Sequence, residues 1–208
     1  MLIEKSAFLE FAKSWKYERV ILVANNPNTS PQTLLGLNIT KNDVVVQFNK
    51  CIFFDALDEV SCHKVFLFNL SKDNNHFGFD GGGKPERNYA SGNFERLSYL
   101  FPYRIADRVQ PAAEALAHTA DVAVFDPGAA RVPLPLPPGK APSAGYKMLC
   151  LFHHLNTLRQ KEGHALAPIL AVGFNPAQVT GHPSIHEIHD FSYEQETAFS
   201  WPEVRRVL

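Results

Sequence analysis

Along the chain, short unbroken apolar runs alternate with segments of helical periodicity. Residues 20–24 (VILVA), 43–48 (DVVVQF), 65–70 (VFLFNL), 121–125 (DVAVF) and 167–174 (APILAVGF) show almost no polar alternation. Strands with that pattern are covered on both faces. Residues 3–16 predict a helix, with Ile3, Phe8, Leu9, Phe11, Ala12 and Trp15 as its apolar positions. Ser30-Pro31 pairs an N-cap with a proline at the first helical position, so a short helix follows the first strand. Residues 111–118 (PAAEALAH) predict another. From Ser143 to about residue 158, apolar residues fall at 148, 151, 152, 155 and 158, which predicts a helix capped by Ser143. Ser192 and Gln195 fit a capping box for a last helix from about Tyr193, with which the chain ends. Residues 95–109 give no clear pattern.

This alternation predicts an α/β fold: a single Rossmann-like nucleotide-binding domain over residues 1–208, its sheet mostly parallel, with helices on both faces. Two segments interrupt it. Residues 71–94 are polar and Gly-rich and read as a flexible surface loop, with a substrate lid as the sharper alternative. Residues 131–142 form a Pro-rich extended connector on the surface. In such sheets ligands bind beyond the carboxyl ends of the strands. Asn25, Asn49, Ser143 and Asn175 all fall just past strand ends or at a helix start.

Composition narrows the function classes. Hydrophobic residues make up 45% and charged residues 20%, which is ordinary for a packed core. A net charge of −1 provides no electrostatic footprint for nucleic acid or an anionic membrane, so a phosphate-bearing ligand needs a local positive potential. Cys51, Cys62 and Cys150 form no CxxC pair and read as reduced, mostly buried thiols of a reducing compartment. The N-terminus lacks the basic start and apolar run of a signal peptide, and no apolar stretch approaches ~18 residues. The expected location is the cytoplasm, at most peripheral to a membrane.

The chemistry-bearing residues cluster late in the chain. At Ser143 the hydroxyl and the free N–H groups of the first helical turn converge on one point that suits a phosphate. Ala144 and Gly145 let a ligand approach the backbone closely. Ala141-x-Ser143-x-Gly145 also echoes the nucleophile elbow of Ser–His hydrolases, although the elbow needs a strand directly before the serine. The GGGK at 81–84 lacks phosphate-loop spacing. His182, His186 and His189 suggest a metal site, but Pro183 opposes the regular helix such spacing needs, so no metal is expected. His189, just before the last helix, suits a general base. Glu194, on the first turn of that helix, could orient the imidazole or a substrate hydroxyl. The same two residue types are also ordinary capping chemistry.

Three segments, in order, resemble the sialylmotifs of glycosyltransferase family 29. The large motif is matched by Val23-Ala24-Asn25-Asn26 and by residues 39–49, ending Asp43-Val44-Val45-Val46-Gln47-Phe48-Asn49. The small motif is matched by Pro142-Ser143-Ala144-Gly145 and Val172-Gly173-Phe174-Asn175, and the very small motif by His189 through Glu194. Asn26, Gln47 and Ala144 stand where the family keeps Ser or Gly, Arg, and a hydroxyl residue.

The resemblance implies a metal-independent, inverting, sialyltransferase-like enzyme of GT-A type, with a CMP-sugar as donor substrate and no cofactor. Asn25 and Asn49 would contact the nucleotide, Ser143, Ala144 and Gly145 would line its ribose and phosphate, and Asn26 and Gly173 would complete the donor-binding set. His189 would be the catalytic base with Glu194 beside it, and His182 and His186 would be auxiliary or acceptor-facing. The implied partners are the nucleotide-sugar donor and a glycan acceptor of cell-surface polysaccharide biosynthesis. A lipid-linked acceptor would bring the protein to a membrane surface. A non-catalytic nucleotide- or glycan-binding relative is the alternative, and a Ser–His hydrolase a further one.

Overall fold

A computed structural model describes residues 2–68, 88–90, 92–102, 116–174 and 188–208. The strands are β1 (Leu2–Ile3), β2 (Arg19–Val23), β3 (Asp43–Phe48), β4 (His63–Leu67), β5 (Arg96–Pro102), β6 (Asp121–Phe125), β7 (Ile169–Val172) and β8 (Val204–Val207). The described helices are α1 (Phe8–Lys13), α2 (Pro31–Leu35), α3 (Phe54–Leu57), α4 (Ala144–Lys161) and α5 (Phe191–Phe199), with a 3-10 turn at Lys5–Ala7. All eight strands pair in parallel in one sheet ordered β1-β6-β5-β4-β3-β2-β7-β8. From β2 the chain steps outward through β3, β4, β5 and β6, then returns to the other flank of β2 as β7. The direction of winding reverses between β2 and β7, which makes that boundary the topological switch point.

Strand residues alternate between two apolar layers. Val20, Leu22, Val44, Val46, Ile169 and Ala171 face the layer that receives Phe8 and Phe11 of α1, and Met148 and Phe152 of α4. Ile21, Val23, Val45 and Val172 face the opposite side, against Leu34 of α2 and Leu57 of α3. Helices therefore cover both faces, and this is why the central strands read as continuous apolar runs. Buried Asp43 joins the starts of β2 and β3 by accepting from Arg19 at 3.1 and 2.7 Å and from the Thr40 N–H at 2.7 Å.

The fold departs from the sequence expectations at its margins. The N-terminal helix is shorter than 3–16, because Leu2 and Ile3 pair with Val122 and Ala123 as an edge strand. β4 begins at His63, two residues earlier than expected, since His63 and Lys64 are both buried. Residues 95–109 contain β5, a strand whose apolar positions Leu97, Tyr99 and Phe101 alternate onto one layer. The chain ends in β8 rather than a helix, and α5 is capped by Asp190, whose carboxylate accepts from the Tyr193 N–H at 3.0 Å. The Ser192 capping box is thus replaced by a cap two residues earlier. The connector at 131–142 has no helix or strand, but it is not purely surface: Val132 is buried and Leu134 and Leu136 pack on the core. Most of the expected loop at 71–94, and most of the expected helix at 111–118, lie outside the described residues. The three cysteines are buried and none of them is in a disulfide. Among the described residues no helix is long and apolar enough to cross a membrane.

Candidate functional site

A cleft of about 370 Å³ opens at the carboxyl ends of β2, β3 and β7, at the switch point. Its walls come from five places. Ala24, Asn25, Asn26 and Pro27 follow β2; Phe48 and Asn49 end β3; Gly173 and Phe174 follow β7. Ser143 to Tyr146 and Leu149 come from the start of α4, and Phe191, Glu194 and Gln195 from one face of α5. Asn25, Asn26, Asn49, Ser143, Ala144, Gly145, Gly173 and Glu194, scattered over the chain, thus border one space.

Several of these residues also build the walls. Asn25 donates its side-chain N–H to the Phe48 carbonyl at 2.6 Å and accepts the Ile52 N–H at 3.2 Å, tying the β2 loop to the β3 loop. Asn26 donates to the Gly173 carbonyl at 3.1 Å and accepts from the Asn28 N–H at 3.0 Å, tying it to β7. Asn49 has φ +50°, a left-handed conformation that asparagine tolerates better than most side chains. Gly173 has φ +75°, and a Cβ there would fall 2.6 Å from Thr29 Oγ1. A Cβ on Gly145 would fall 2.6 Å from the Phe174 ring, so the missing side chain is what admits that ring against the start of α4. Phe174 meets Phe48 edge-on at 6.3 Å between centroids, giving the cleft an aromatic wall.

At the start of α4, Ser143 Oγ accepts the Tyr146 N–H at 3.2 Å, the cap foreseen from the sequence. Its other bonds were not foreseen. The Ser143 N–H donates to one Glu194 carboxylate oxygen at 2.7 Å and the hydroxyl donates to the other at 2.6 Å. A protein carboxylate therefore already holds the Ser143 donors that were expected to face a phosphate. The helix N-terminus stabilises that buried anion. Ala144 and Gly145, whose N–H groups belong to the first turn and have no intrahelical partner, line the cleft. Burial pushes the Glu194 carboxyl above its ordinary value, against the downward pull of the two Ser143 bonds and nearby His189. With its hydroxyl donated to Glu194 and no strand before it, Ser143 lacks the geometry of an elbow nucleophile.

His189 lies just outside the residues that line the cleft. Its Nδ1 is 2.6 Å from the Ala141 carbonyl, and its ring is 5.5 Å from Phe191. A carbonyl only accepts, so Nδ1 carries the proton and, in the neutral ring, Nε2 is the basic nitrogen. The group orienting the imidazole is thus the Ala141 carbonyl, not Glu194. The Ala141 N–H in turn donates to the Ile188 carbonyl at 3.0 Å, which stitches the two segments together beside Ser143. His182, His186 and Asn175 lie outside the described residues.

Sequence reasoning missed the walls: Phe48, Phe174, Phe191, Tyr146, Leu149 and Gln195. A usable cue was present in α5, where 191, 194 and 195 share one helical face. Among the described residues that line it, none is Lys, Arg or His. The cleft can therefore offer backbone and amide donors, aromatic faces and one buried carboxylate. No protein-family model, curated protein or solved structure matches the chain significantly.

Proposed function

We propose that the protein is a metal-independent, inverting glycosyltransferase. It moves sialic acid or a related acidic sugar from a CMP-sugar donor to a glycan hydroxyl in the cytoplasm. The observation that carries this reading is the meeting of Asn25, Asn26, Asn49, Ser143, Ala144, Gly145 and Gly173 in one cleft, with His189 hydrogen-bonded two residues from Ser143. The cleft size suits a mononucleotide, and its position at the switch point is where open parallel sheets bind ligands.

In this reading the Ala144 and Gly145 N–H groups receive the single phosphate of the donor. The acceptor hydroxyl gives its proton to His189 Nε2 as its oxygen attacks the anomeric carbon. The bond from that carbon to the phosphate oxygen breaks, and CMP leaves with the electron pair. A lipid-linked acceptor would bring the protein to a membrane surface.

The second reading, a nucleotide- or glycan-binding protein without catalysis, is favoured by one observation: Glu194 occupies the Ser143 donors. Titration with CMP tests both readings at once. At ~100 times the dissociation constant, CMP should add about 2.7 kcal/mol of stability, seen as a rise in Tm. Absence of any shift with CMP, CDP or CTP would remove both nucleotide readings. EDTA-insensitive transfer from a CMP-sugar, abolished in His189→Ala with CMP binding retained, separates the enzyme from the binding protein.

A further inference from the structure

We infer that Gln195 determines ligand specificity in the cleft by presenting its side-chain NH2 to an acceptor atom of the nucleotide base, and that Arg206 on β8 is the positioning residue that sets this orientation. The inference rests on the proposed nucleotide reading. Arg206 Nη2 donates to Gln195 Oε1 at 2.9 Å. The guanidinium also lies 4.3 Å from the centroid of the Phe199 ring, so two contacts hold it in place.

A guanidinium has donors only, so the amide atom it meets must be the oxygen, and the NH2 is at the opposite end. That NH2 has no hydrogen-bond partner among the described residues, yet it is not among the sealed, unpaired atoms of the interior. Gln195 is 9% exposed, and the open space it borders is the cleft.

A fixed neutral donor beside aromatic walls matches an uncharged acceptor, such as a ring carbonyl or ring nitrogen. An apolar residue here would leave that acceptor unpaired, so the donor discriminates through the cost of burying it alone.

Gln195→Glu tests this with little change of shape. It keeps a partner for Arg206 but replaces the NH2 by a carboxylate oxygen. The expected result is a Tm at or above wild type, with CMP binding weakened by roughly tenfold or more, the worth of about one hydrogen bond. Binding of ribose 5-phosphate, which lacks the base, should be unchanged by ligand-observed NMR. Arg206→Met, which frees the amide to rotate, should weaken CMP binding, and Arg206→Lys, which still donates, should restore most of it. This pair decides the matter if Gln195→Glu proves unstable. Unchanged CMP affinity in Gln195→Glu or in Arg206→Met would overturn the inference while leaving the nucleotide reading intact. An equal loss for CMP and ribose 5-phosphate would also overturn it. Failure of the wild-type protein to bind any cytidine nucleotide would overturn both.

Discussion

Glu194 on α5 holds the start of α4 through Ser143: one carboxylate oxygen takes the serine N–H at 2.7 Å and the other its hydroxyl at 2.6 Å. A capping box normally makes this exchange within one helix. Here the acidic member is 51 positions away, on a second helix, so the bond fixes how α5 sits against α4 as well as how α4 begins. Two walls of the cleft are set by one pair of side chains.

Removing either partner should therefore cost more than a simple cap. Glu194→Ala leaves two donors of Ser143 unpaired and should cost about 2–3 kcal/mol in urea unfolding. Ser143→Ala should cost about 1–2 kcal/mol. The double variant should be less destabilised than the sum by at least about 0.5 kcal/mol. Strict additivity would mean the two residues do not act as a pair.

The same carboxyl links stability to pH. Glu194 is 3% exposed, and burial raises its carboxyl above the ordinary value of 4.5. The folded protein thus holds this proton more tightly than the unfolded chain does. The resulting stabilisation is complete below the unfolded value and lost as pH rises through the raised folded value. Glu194→Gln carries no such group, so its stability should gain on that of wild type as pH climbs from 4.5 through that window. Parallel stability–pH curves for the two proteins would sink this account.

The two glycines of the cleft should respond differently to alanine. Gly173→Ala meets both a left-handed backbone and Thr29 and Asn26 side chains, and should cost at least about 1–3 kcal/mol. Gly145→Ala meets only the edge of the Phe174 ring, which can turn aside. It should leave Tm nearly unchanged while weakening CMP binding, because the aromatic wall moves. A large loss of Tm in Gly145→Ala would show that Phe174 cannot move.

On the proposed function, His189→Ala should lower transferase turnover by about 10²–10⁴-fold, the range for loss of a positioned base. CMP affinity should stay within a factor of a few, since His189 is not among the lining residues. Loss of CMP binding in equal measure would assign His189 to holding the cleft rather than to proton transfer.

Gln47 offers a test away from the cleft. It is 2% exposed on β3, with its side-chain oxygen unpaired among the described residues. Gln47→Met should raise stability by about 1 kcal/mol by removing that cost. A destabilised variant would mean that the amide is paired in solution.

Much of the architecture could be read directly. Val20, Leu22, Val44 and Val46 face one helical layer while Ile21, Val23 and Val45 face the other, so their runs announce buried parallel strands. Ser143 and Ser30 were readable as caps because their partners, the N–H groups of Tyr146 and Gln32, lie within three residues. Leu2–Ile3 was not readable, since two residues form a strand only when Val122 and Ala123 are already there to pair with. Nor was β5 read, because Arg96-Leu97-Ser98-Tyr99 alternates for only four residues before the apolar pair Leu100-Phe101 breaks the pattern.

The chain by itself determined the α/β class, the order of its central elements and the residue types that gather at strand ends, because these follow from local periodicity and turn chemistry. Only the tertiary structure decided what those residues face. It brought Asn25, Asn49, Ser143 and Gly173 together because β2, β3 and β7 are neighbours in the sheet although they lie far apart in the chain. It also gave the Ser143 donors to Glu194 and the His189 proton to Ala141. Hydrogen-bond partners at such separations are chosen by packing of whole elements, and no local pattern in the chain encodes that choice.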